Sequence, residues 1–270
     1  MANDKIRREL LAKNTSAPLS QLRKLLEDRE VSVRAALAEN RNACMEMLFG
    51  LAKDPSPIVR MGVACNDVCP SKLIKLLSGD ESKLVRAMAN ARDIQASATQ
   101  LRELAEHRSV KVRAAVARHF KTPHIPLLLM KLLDDKASVV RNIAIARDKT
   151  SDQYKLSALI ANPDWIVRAL VAIHPNSTIS MLEILAFDED FVVRDHVARN
   201  PLTTSDLIRK MFKESDLWYS IARNPNTPVA LLQKLINNKS KRKFKDAQKL
   251  LRDSALSNLR ARQQDKSSQP

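Results

Sequence analysis

One sequence motif recurs nine times along the chain. Five copies end in asparagine, and the four central copies end in a basic or titratable residue instead. The motif reads Val-Arg-x-x-apolar-Ala-x-Asn, and its last position holds, in order, Asn14, Asn40, Asn66, Arg92, His119, Arg147, His174, Asn200 and Asn224. Just before that position lie Arg118, Arg199 and Arg223. If these positions share the inner surface of a stack, the seven basic residues form a track that suits a phosphate backbone. The alternative is that they cap helix C-termini, where the helix dipole favours cations.

A second regularity is an acidic residue six positions before the motif arginine. The pairs are Asp28 with Arg34, Asp54 with Arg60, Asp80 with Arg86, Asp135 with Arg141 and Asp188 with Arg194, whereas His107 and Asn162 take the acid position before Arg113 and Arg168. Such constant spacing predicts that each Asp, at the end of one helix, holds the Arg that begins the next. Charge-assisted hydrogen bonds of this kind fix geometry. We therefore expect a structural ladder, although regularly spaced arginines could also bind phosphate.

The elements that position these residues are short helices in repeated units. Copies of the motif begin at residues 7, 33, 59, 85, 112, 140, 167, 193 and 217. A near-fixed step of 24 to 28 residues predicts an array of stacked units and not a single globular core. Each unit joins a Leu-rich amphipathic helix to a shorter helix that carries the motif. Asn followed by Pro ends the second helix, since Asn tolerates the left-handed conformation at a helix end.

The composition favours an intracellular, basic, all-α protein. Three Gly and 4% aromatic residues argue against a β-rich fold, and the net charge of +16 indicates a polyanionic partner. No apolar run reaches the length of a membrane span, so we expect no membrane partner. The start of the chain enters a repeat directly, without an apolar leader. Three Cys, an odd number, fit a reducing compartment, and we expect a cytoplasmic location.

The sequence also predicts three segments. Residues 1–237 form the repeat domain, residues 238–262 a basic C-terminal capping helix, and residues 263–270 a disordered tail. The capping helix is expected because the open end of a repeat stack needs a cover. Its basic character follows from ten Lys and Arg against three Asp in residues 239–270.

These motifs resemble the leucine-rich repeat variant family, within the broader HEAT-like α-helical repeats. The likeness rests on Val-Arg-x-x-Val-Ala-x-Asn-Pro, on Thr-Pro before a Leu-rich helix, and on Asp before the next Val-Arg. It covers roughly residues 5–236 and is most specific in residues 28–86 and 188–228. The resemblance implies an α-solenoid of about nine two-helix repeats, wound as a right-handed superhelix without sheet. Some members carry a Cys-rich iron–sulfur segment that this chain lacks, so no cofactor is carried over.

Patterns typical of catalysis are weak. The architecture resembles HEAT-like-repeat alkylpurine DNA glycosylases, which use an Asp and Trp residues on a concave face. Here Trp165 follows Asp164 and precedes a motif, and Trp218 replaces a motif Arg, so the two indoles need not face one cleft and are expected to pack. Cys44, Cys65 and Cys69 do not match zinc or iron–sulfur spacing. We predict no catalytic residue, no bound metal and no cofactor.

The sequence therefore predicts a non-enzymatic repeat scaffold that binds a polyanion through a basic concave surface. Nucleic acid, bound chiefly through the backbone of duplex DNA, is the first expectation. A protein-interaction scaffold for an acidic partner is the alternative, and a glycosylase is a third, weaker one. The oligomeric state is left open.

Overall fold

The structure is a computed structural model that describes residues 2–119, 121–237 and 253–260. These ranges contain helices and turns and no strand. The helices are α1 (Ala2–Lys13), α2 (Leu19–Arg23), α3 (Val31–Glu39), α4 (Met45–Leu51), α5 (Pro57–Cys65), α6 (Ser71–Leu77), α7 (Lys83–Arg92), α8 (Ala98–Leu104), α9 (Val110–Arg118), α10 (Pro126–Leu133), α11 (Ser138–Arg147), α12 (Gln153–Ser157), α13 (Trp165–Ala172), α14 (Ile179–Leu185), α15 (Phe191–Arg199), α16 (Ser205–Met211), α17 (Trp218–Arg223), α18 (Val229–Ile236) and α19 (253–260), with 3-10 turns at Thr122–His124 and Ser215–Leu217.

The helices alternate between two kinds, as the repeat predicts. We call the odd-numbered helices α1 to α17 the Val-Arg helices, because they carry the motif, and the even-numbered ones the Leu-rich helices. The chain divides into unit 1, Met1–Ala144, and unit 2, Ile145–Pro270. Within each unit the two kinds of helix stack as two-helix repeats. The predicted all-α repeat fold is confirmed, and the handedness of the superhelix stays a prediction.

The motif residues form the core between successive repeats. Val33 and Leu37, one turn apart on α3, are fully buried, and Leu22 and Leu48 on the flanking Leu-rich helices are buried as well. Burying a Val or Leu side chain contributes roughly 1.5 to 3 kcal/mol. Because each short helix buries one face against its neighbours, a single repeat has too little apolar area to fold alone.

From α1 to α9, successive Val-Arg helices share more extensive contacts than the other helix pairs of unit 1, and α3 with α5 share the most. The reason is visible at Gly62 on α5, where an added Cβ would lie 2.9 Å from the Cβ of Ala38 and 3.0 Å from the backbone oxygen of Ala35. Small residues on both helices therefore permit close backbone approach. The Val-Arg layer is the tighter of the two layers.

The asparagine at the end of a Val-Arg helix joins each repeat to the one before. The Nδ2 group of Asn66 donates to the carbonyls of Ala38 at 2.7 Å and Asn40 at 2.9 Å, and its Oδ1 accepts from the amide of Val68 at 2.9 Å. The last carbonyls of a helix have no partner inside it, and this side chain supplies one from the next repeat. Asn40, Asn200 and Asn224 do the same.

The conformation of these asparagines differs from the prediction. Asn40 and Asn66 have extended backbones, with φ of −73° and −66°, and no residue in the described ranges has a positive φ. The prediction of a left-handed backbone conformation at the helix end is therefore wrong. Asn recurs because one amide can donate to the preceding repeat and accept from its own turn.

Six of the motif arginines also bridge two repeats, but in a different register from the predicted one. Nη1 of Arg34 donates to the backbone carbonyl of Asp28 at 2.6 Å, whereas Nε and Nη2 donate to the carboxylate of Asp54 at 2.7 and 3.1 Å. The carboxylate thus comes from the following repeat. The same contact joins Arg8 to Asp28, Arg60 to Asp80, Arg113 to Asp135, Arg168 to Asp188, and Arg194 to Glu214.

The five predicted side-chain pairs are therefore wrong, although their residues do build a ladder. Within a repeat the arginine takes only a backbone carbonyl from its acid, as in the pairs Asp28–Arg34, Asp54–Arg60, Asp80–Arg86, Asp135–Arg141 and Asp188–Arg194. The carboxylate is also held by its own turn, since Oδ1 of Asp54 accepts from the amide of Ser56 at 2.8 Å. Oδ2 accepts from Nε of Arg34 in the repeat before, and Oδ1 accepts from Nη2 of the same arginine as well.

The helix α19 extends the asparagine contacts beyond the predicted last repeat. Ala255 packs against Ala222, Leu232 and Leu235. Nδ2 of Asn258 donates to the carbonyls of Ala222 and Asn224 at 3.0 and 2.7 Å. Residues 251–258 read Leu-Arg-x-x-Ala-Leu-x-Asn, a degraded tenth motif that the predicted amphipathic cap overlooked. Residues 238–252 and 261–262 of the predicted capping helix and the predicted tail 263–270 lie outside the described residues.

No helix in the described ranges is long and apolar enough to cross a bilayer.

The asparagine contacts predict a large loss of stability on substitution. Asn66→Ala should lower the free energy of unfolding by roughly 3 kcal/mol, because two buried carbonyls and one amide lose their partners. Asn66→Asp keeps the acceptor for Val68 and removes the donor, so it should also destabilise. Urea unfolding followed by circular dichroism measures both. If Asn66→Asp unfolds at the wild-type urea concentration, donation to the preceding repeat contributes nothing.

The carboxylate ladder predicts a loss of stability in acid. The hydrogen bond from Arg113 is the chief cause that holds the pKa of Asp135 below its ordinary value, while burial opposes it. A lowered folded pKa means that the stabilisation is present above about pH 4 and is lost as the pH falls through the folded pKa. Asp135→Asn should therefore cost roughly 2 kcal/mol at pH 7 and weaken the acid dependence of unfolding.

The matched control is Asp134→Asn, which removes the same charge at an exposed neighbour. Urea unfolding at pH 7 and in steps down to pH 3 compares the two variants with the wild type. Equal losses in both variants would mean that net charge, and not the Arg113 pair, sets the acid response.

Candidate functional site

The two histidines of the predicted basic track are buried structural residues. His119 is 6% exposed and His174 is 3% exposed. Nε2 of each ring lies near a backbone carbonyl of the preceding repeat, 3.0 Å from Asp93 and 2.9 Å from Asp148, and Nδ1 accepts from the amide two residues on. The imidazole thus replaces both functions of the asparagine amide. The prediction that these rings face a polyanion is wrong.

Two of the five arginines of the track, Arg92 and Arg147, were assigned to the asparagine position one residue too early. The helix α7 has ten residues where α5 has nine, and the residue in the asparagine position is Asp93, whose Oδ1 accepts from the amide of Gln95. A carboxylate cannot donate, so Nη1 of Arg92 donates instead to the carbonyls of Ala64 at 2.7 Å and Asn66 at 2.6 Å. Arg92 therefore supplies the donor, and Asp93 the acceptor, that a single asparagine supplies in other repeats.

Arg147 and Asp148 repeat this arrangement of residues at the end of α11. Oδ1 of Asp148 accepts from the amide of Thr150 at 3.0 Å, as Asp93 does from its own turn. Burial lowers the pKa of Arg147 below the ordinary value for arginine. An inserted residue in each of these two repeats thus explains why the motif seemed to end in arginine.

The remaining three predicted residues lie in different surroundings. In unit 2, Nη2 of Arg199 forms an ion pair with Asp195 at 2.8 Å, and the guanidinium of Arg223 lies 5.6 Å from the ring centroid of Tyr219. In unit 1, Arg118 is half-buried at the end of α9. Of the seven predicted residues, Arg92 and Arg118 line one groove, and the continuous basic track is not formed.

That groove is the candidate site, and it lies on the Val-Arg face of unit 1. Its volume is about 320 Å³. Small and apolar side chains form its floor, and charged side chains form its rim. The lining residues are Glu39, Cys65, Asp67, Met88, Arg92, Val110, Lys111, Ala114, Ala115, Arg118 and Val139.

An ion pair spans this face and shows that it is concave. Nζ of Lys111 on α9 lies 2.9 Å from Oε1 of Glu39 on α3, although α5 and α7 stand between these helices in the stack. Neighbouring helices are typically 8 to 10 Å apart, so the contact requires the layer to curve. Burial lowers the pKa of Lys111. The hydrogen bond and the charge of Glu39 together outweigh burial, so the pKa lies above its ordinary value.

The thiol that lines the groove, Cys65, is a poor nucleophile. Burial raises the pKa of the Cys65 thiol to about 11, so the thiol stays protonated at neutral pH and is a poor nucleophile. Cys69 is shifted to about 11 for the same reason. No cluster of three or more potential metal ligands occurs among the described residues.

The residues compared with glycosylases have structural contacts in unit 2. Oδ1 of Asp164 caps α13 by accepting from the amide of Ile166 at 3.0 Å. Nε1 of Trp218 donates to the carbonyl of Phe212 at 2.8 Å, and the two rings stack with centroids 5.5 Å apart. This carbonyl lies six residues back, as do those bonded by the motif arginines. Trp218 therefore takes over one contact of the arginine that it replaces.

Sequence reasoning missed several of the residues that matter. Arg8 occupies the arginine position of the first copy and could have been found there. Glu214 does not stand six residues before Trp218, because the last repeat is shorter, so the spacing rule passed over it. The Lys111–Glu39 pair joins residues 72 positions apart, and no periodicity signals it.

Comparisons with known proteins return one kind of likeness. No family model matches the chain, and no curated protein matches it. Among solved structures it is similar to one described as a leucine-rich repeat variant with a novel repetitive protein structural motif, at 23% sequence identity and a TM-score of 0.30, over 75% of this chain and 80% of that chain. The match names the repeat class that the Val-Arg motif resembles, and no function is taken from it.

Proposed function

We propose that the chain is a non-enzymatic helical-repeat scaffold whose unit 1 groove holds a segment of an acidic partner protein. The observation that carries the proposal is the composition of the groove, an apolar floor beside a basic rim. Such a surface suits a segment that places an apolar side chain on the floor and an acidic one at the rim.

The floor and the rim are built by different positions of the same helices. Met88 on α7 and Ala114 and Ala115 on α9 are buried against the repeat core and leave little side-chain bulk above them, while Val110 and Val139 stay exposed. An apolar partner side chain placed there would remove the exposed surfaces of Val110 and Val139 from water. The floor therefore supplies affinity without any need for charge.

The rim supplies selectivity for acidic groups. Arg92, Lys111 and Arg118 lie on it with Glu39 and Asp67, which leaves one positive charge in excess. Glu39 forms its ion pair with Lys111, and the excess positive charge of the rim would attract an added acidic group. Long-range attraction by the net charge of +16 would also speed the approach of an acidic partner.

Nucleic acid is a second candidate, supported by the net charge and by the ten basic residues in 239–270. Contacts to phosphates position a protein without reading bases and need only accessible Lys and Arg. The exposed Arg199 and Arg223 meet that requirement in unit 2. We also propose a cytoplasmic location, because three cysteines, an odd number, fit a reducing compartment.

A peptide selection on the purified chain tests the first candidate. Peptides selected from a random phage-displayed library should share an apolar residue close to Asp or Glu. Arg118→Glu should weaken the binding of a selected peptide at least about tenfold, equivalent to about 1.4 kcal/mol, because a repulsive charge replaces the attractive one at the rim. Fluorescence anisotropy measures the Kd.

The matched control is Arg102→Glu, which makes the same charge change at an exposed site on the Leu-rich helix α8. It should leave the Kd near the wild-type value, and thermal unfolding should show both variants folded. Equal weakening by both variants would reduce the interaction to net charge, and a selection without acidic peptides would remove the proposal.

A salt titration with a 30-mer DNA duplex tests the second candidate. Binding through the backbone should weaken with a slope of log K against log salt of about −0.9 for each phosphate contacted. Anisotropy that stays flat at low salt would dispose of DNA as a partner and leave the groove proposal standing.

A further inference from the structure

The carboxylate ladder of unit 1 is interrupted at Arg86, and Arg141 at the end of the unit likewise makes only backbone contacts. Arg8, Arg34, Arg60 and Arg113 each bind a carboxylate with the edge of the guanidinium that carries Nε. Arg86 makes only the backbone contacts, with Nη1 donating to the carbonyls of Asp80 and Glu81. Among the described residues, neither Nε nor Nη2 of Arg86 has an acceptor.

The cause is a change of two neighbouring residues in the following repeat. Arg60, one repeat earlier, binds Asp80 at 2.7 Å through Nε and Glu81 at 2.8 Å through Nη2. The corresponding positions facing Arg86 along the chain hold His107 and Arg108. One acid is therefore replaced by an imidazole and the other by a second guanidinium.

His107 keeps only half of the role of the acid that it replaces. Its Nδ1 accepts from the amide of Ser109 at 3.1 Å, as Oδ1 of Asp80 accepts from Ser82 at 2.8 Å. The turn is thus preserved while the negative charge is absent. Burial, followed by the charges of Arg108 and Arg113, holds the pKa of His107 below its ordinary value, so the ring is neutral at pH 7 and does not repel a bound anion.

The open edge of Arg86 is already oriented. In the occupied positions the same Nη1 contact to a backbone carbonyl accompanies carboxylate binding, with Nε to oxygen distances of 2.6 to 2.7 Å for Arg34, Arg60 and Arg113. A guanidinium held in this way loses little freedom when it binds a planar, bidentate acceptor. The geometry therefore favours a carboxylate.

We propose that Arg86, assisted by Arg108, is a binding site for a carboxylate group that the chain itself does not supply, either a side chain of a partner or a small organic acid. The bound group takes the place that Asp54, Asp80 and Asp135 fill at other levels of the ladder. Because Arg86 lies before the middle of α7 and the groove residue Arg92 at its end, the site stands whether or not the groove binds a segment.

The test follows the Nε–Hε signal of Arg86 by nuclear magnetic resonance, assigned with Arg86→Lys. Sodium acetate, titrated against sodium chloride of equal ionic strength, should shift this signal and leave those of Arg60 and Arg113 in place. An end-blocked Gly-Gly-Glu-Gly-Gly peptide distinguishes the two sources. Peptide binding at least as tight as that of acetate assigns the site to a partner's side chain, and acetate binding alone assigns it to a small acid.

The control variant is His107→Asp, which restores the acid. An intramolecular carboxylate has a high effective concentration, so the variant should no longer respond to acetate, and its thermal midpoint should rise above that of the wild type. No shift at Arg86, or equal shifts at Arg86, Arg60 and Arg113, would overturn the site. A response to inorganic phosphate but not to acetate would overturn the assignment to carboxylate, as would a His107→Asp variant that still responds.

Discussion

The structure depends on how the ends of very short helices satisfy their backbone carbonyls. Helices of five to ten residues, such as α5 and α7, leave a large share of their carbonyls without an internal partner. Water cannot serve those that face the next repeat, because Asn40 and Asn66 are buried there. A donor from the following repeat is therefore required at every level, and each repeat is completed only by its successor.

The arginine contacts obey the same constraint at the other end of the Val-Arg helix. A guanidinium has donors enough to bind a carbonyl of its own repeat and a carboxylate of the next at once, as Arg60 does with Asp54 and Asp80. An isolated carboxylate in that position would be costly to bury. Pairing across the boundary between two repeats therefore stabilises the stack only when both repeats are folded. The folding of neighbouring repeats is coupled in this way.

Much of the fold could be predicted from the sequence, but which side chains pair with each other could not. Recurrence identified the helices, the core positions and nearly all ladder residues. It cannot say whether Asp54 binds the arginine six residues later or the one in the preceding repeat, because both spacings recur with the same period. The inserted residue at Asp93 was missed for a related reason, since a pattern match cannot decide which of two adjacent polar residues ends a helix. Lys111 and Glu39 depend on curvature, which no local pattern encodes.

The positions that break the pattern in unit 1 bear most directly on function. Contacts between repeats alone explain the Asn, Asp and Arg residues at their motif positions. A basic residue at such a position is therefore no evidence of a binding partner, as the buried His119 shows. The departures lie at the end of α7 and in the turn before α9. They comprise Arg92 with Asp93, and His107 with Arg108. The open edge of Arg86 lies on α7, and residues of α7 and α9 line the groove. A repeat that gives up ladder contacts forgoes stability there, and the edge of Arg86 left without a carboxylate is the one proposed to bind another molecule.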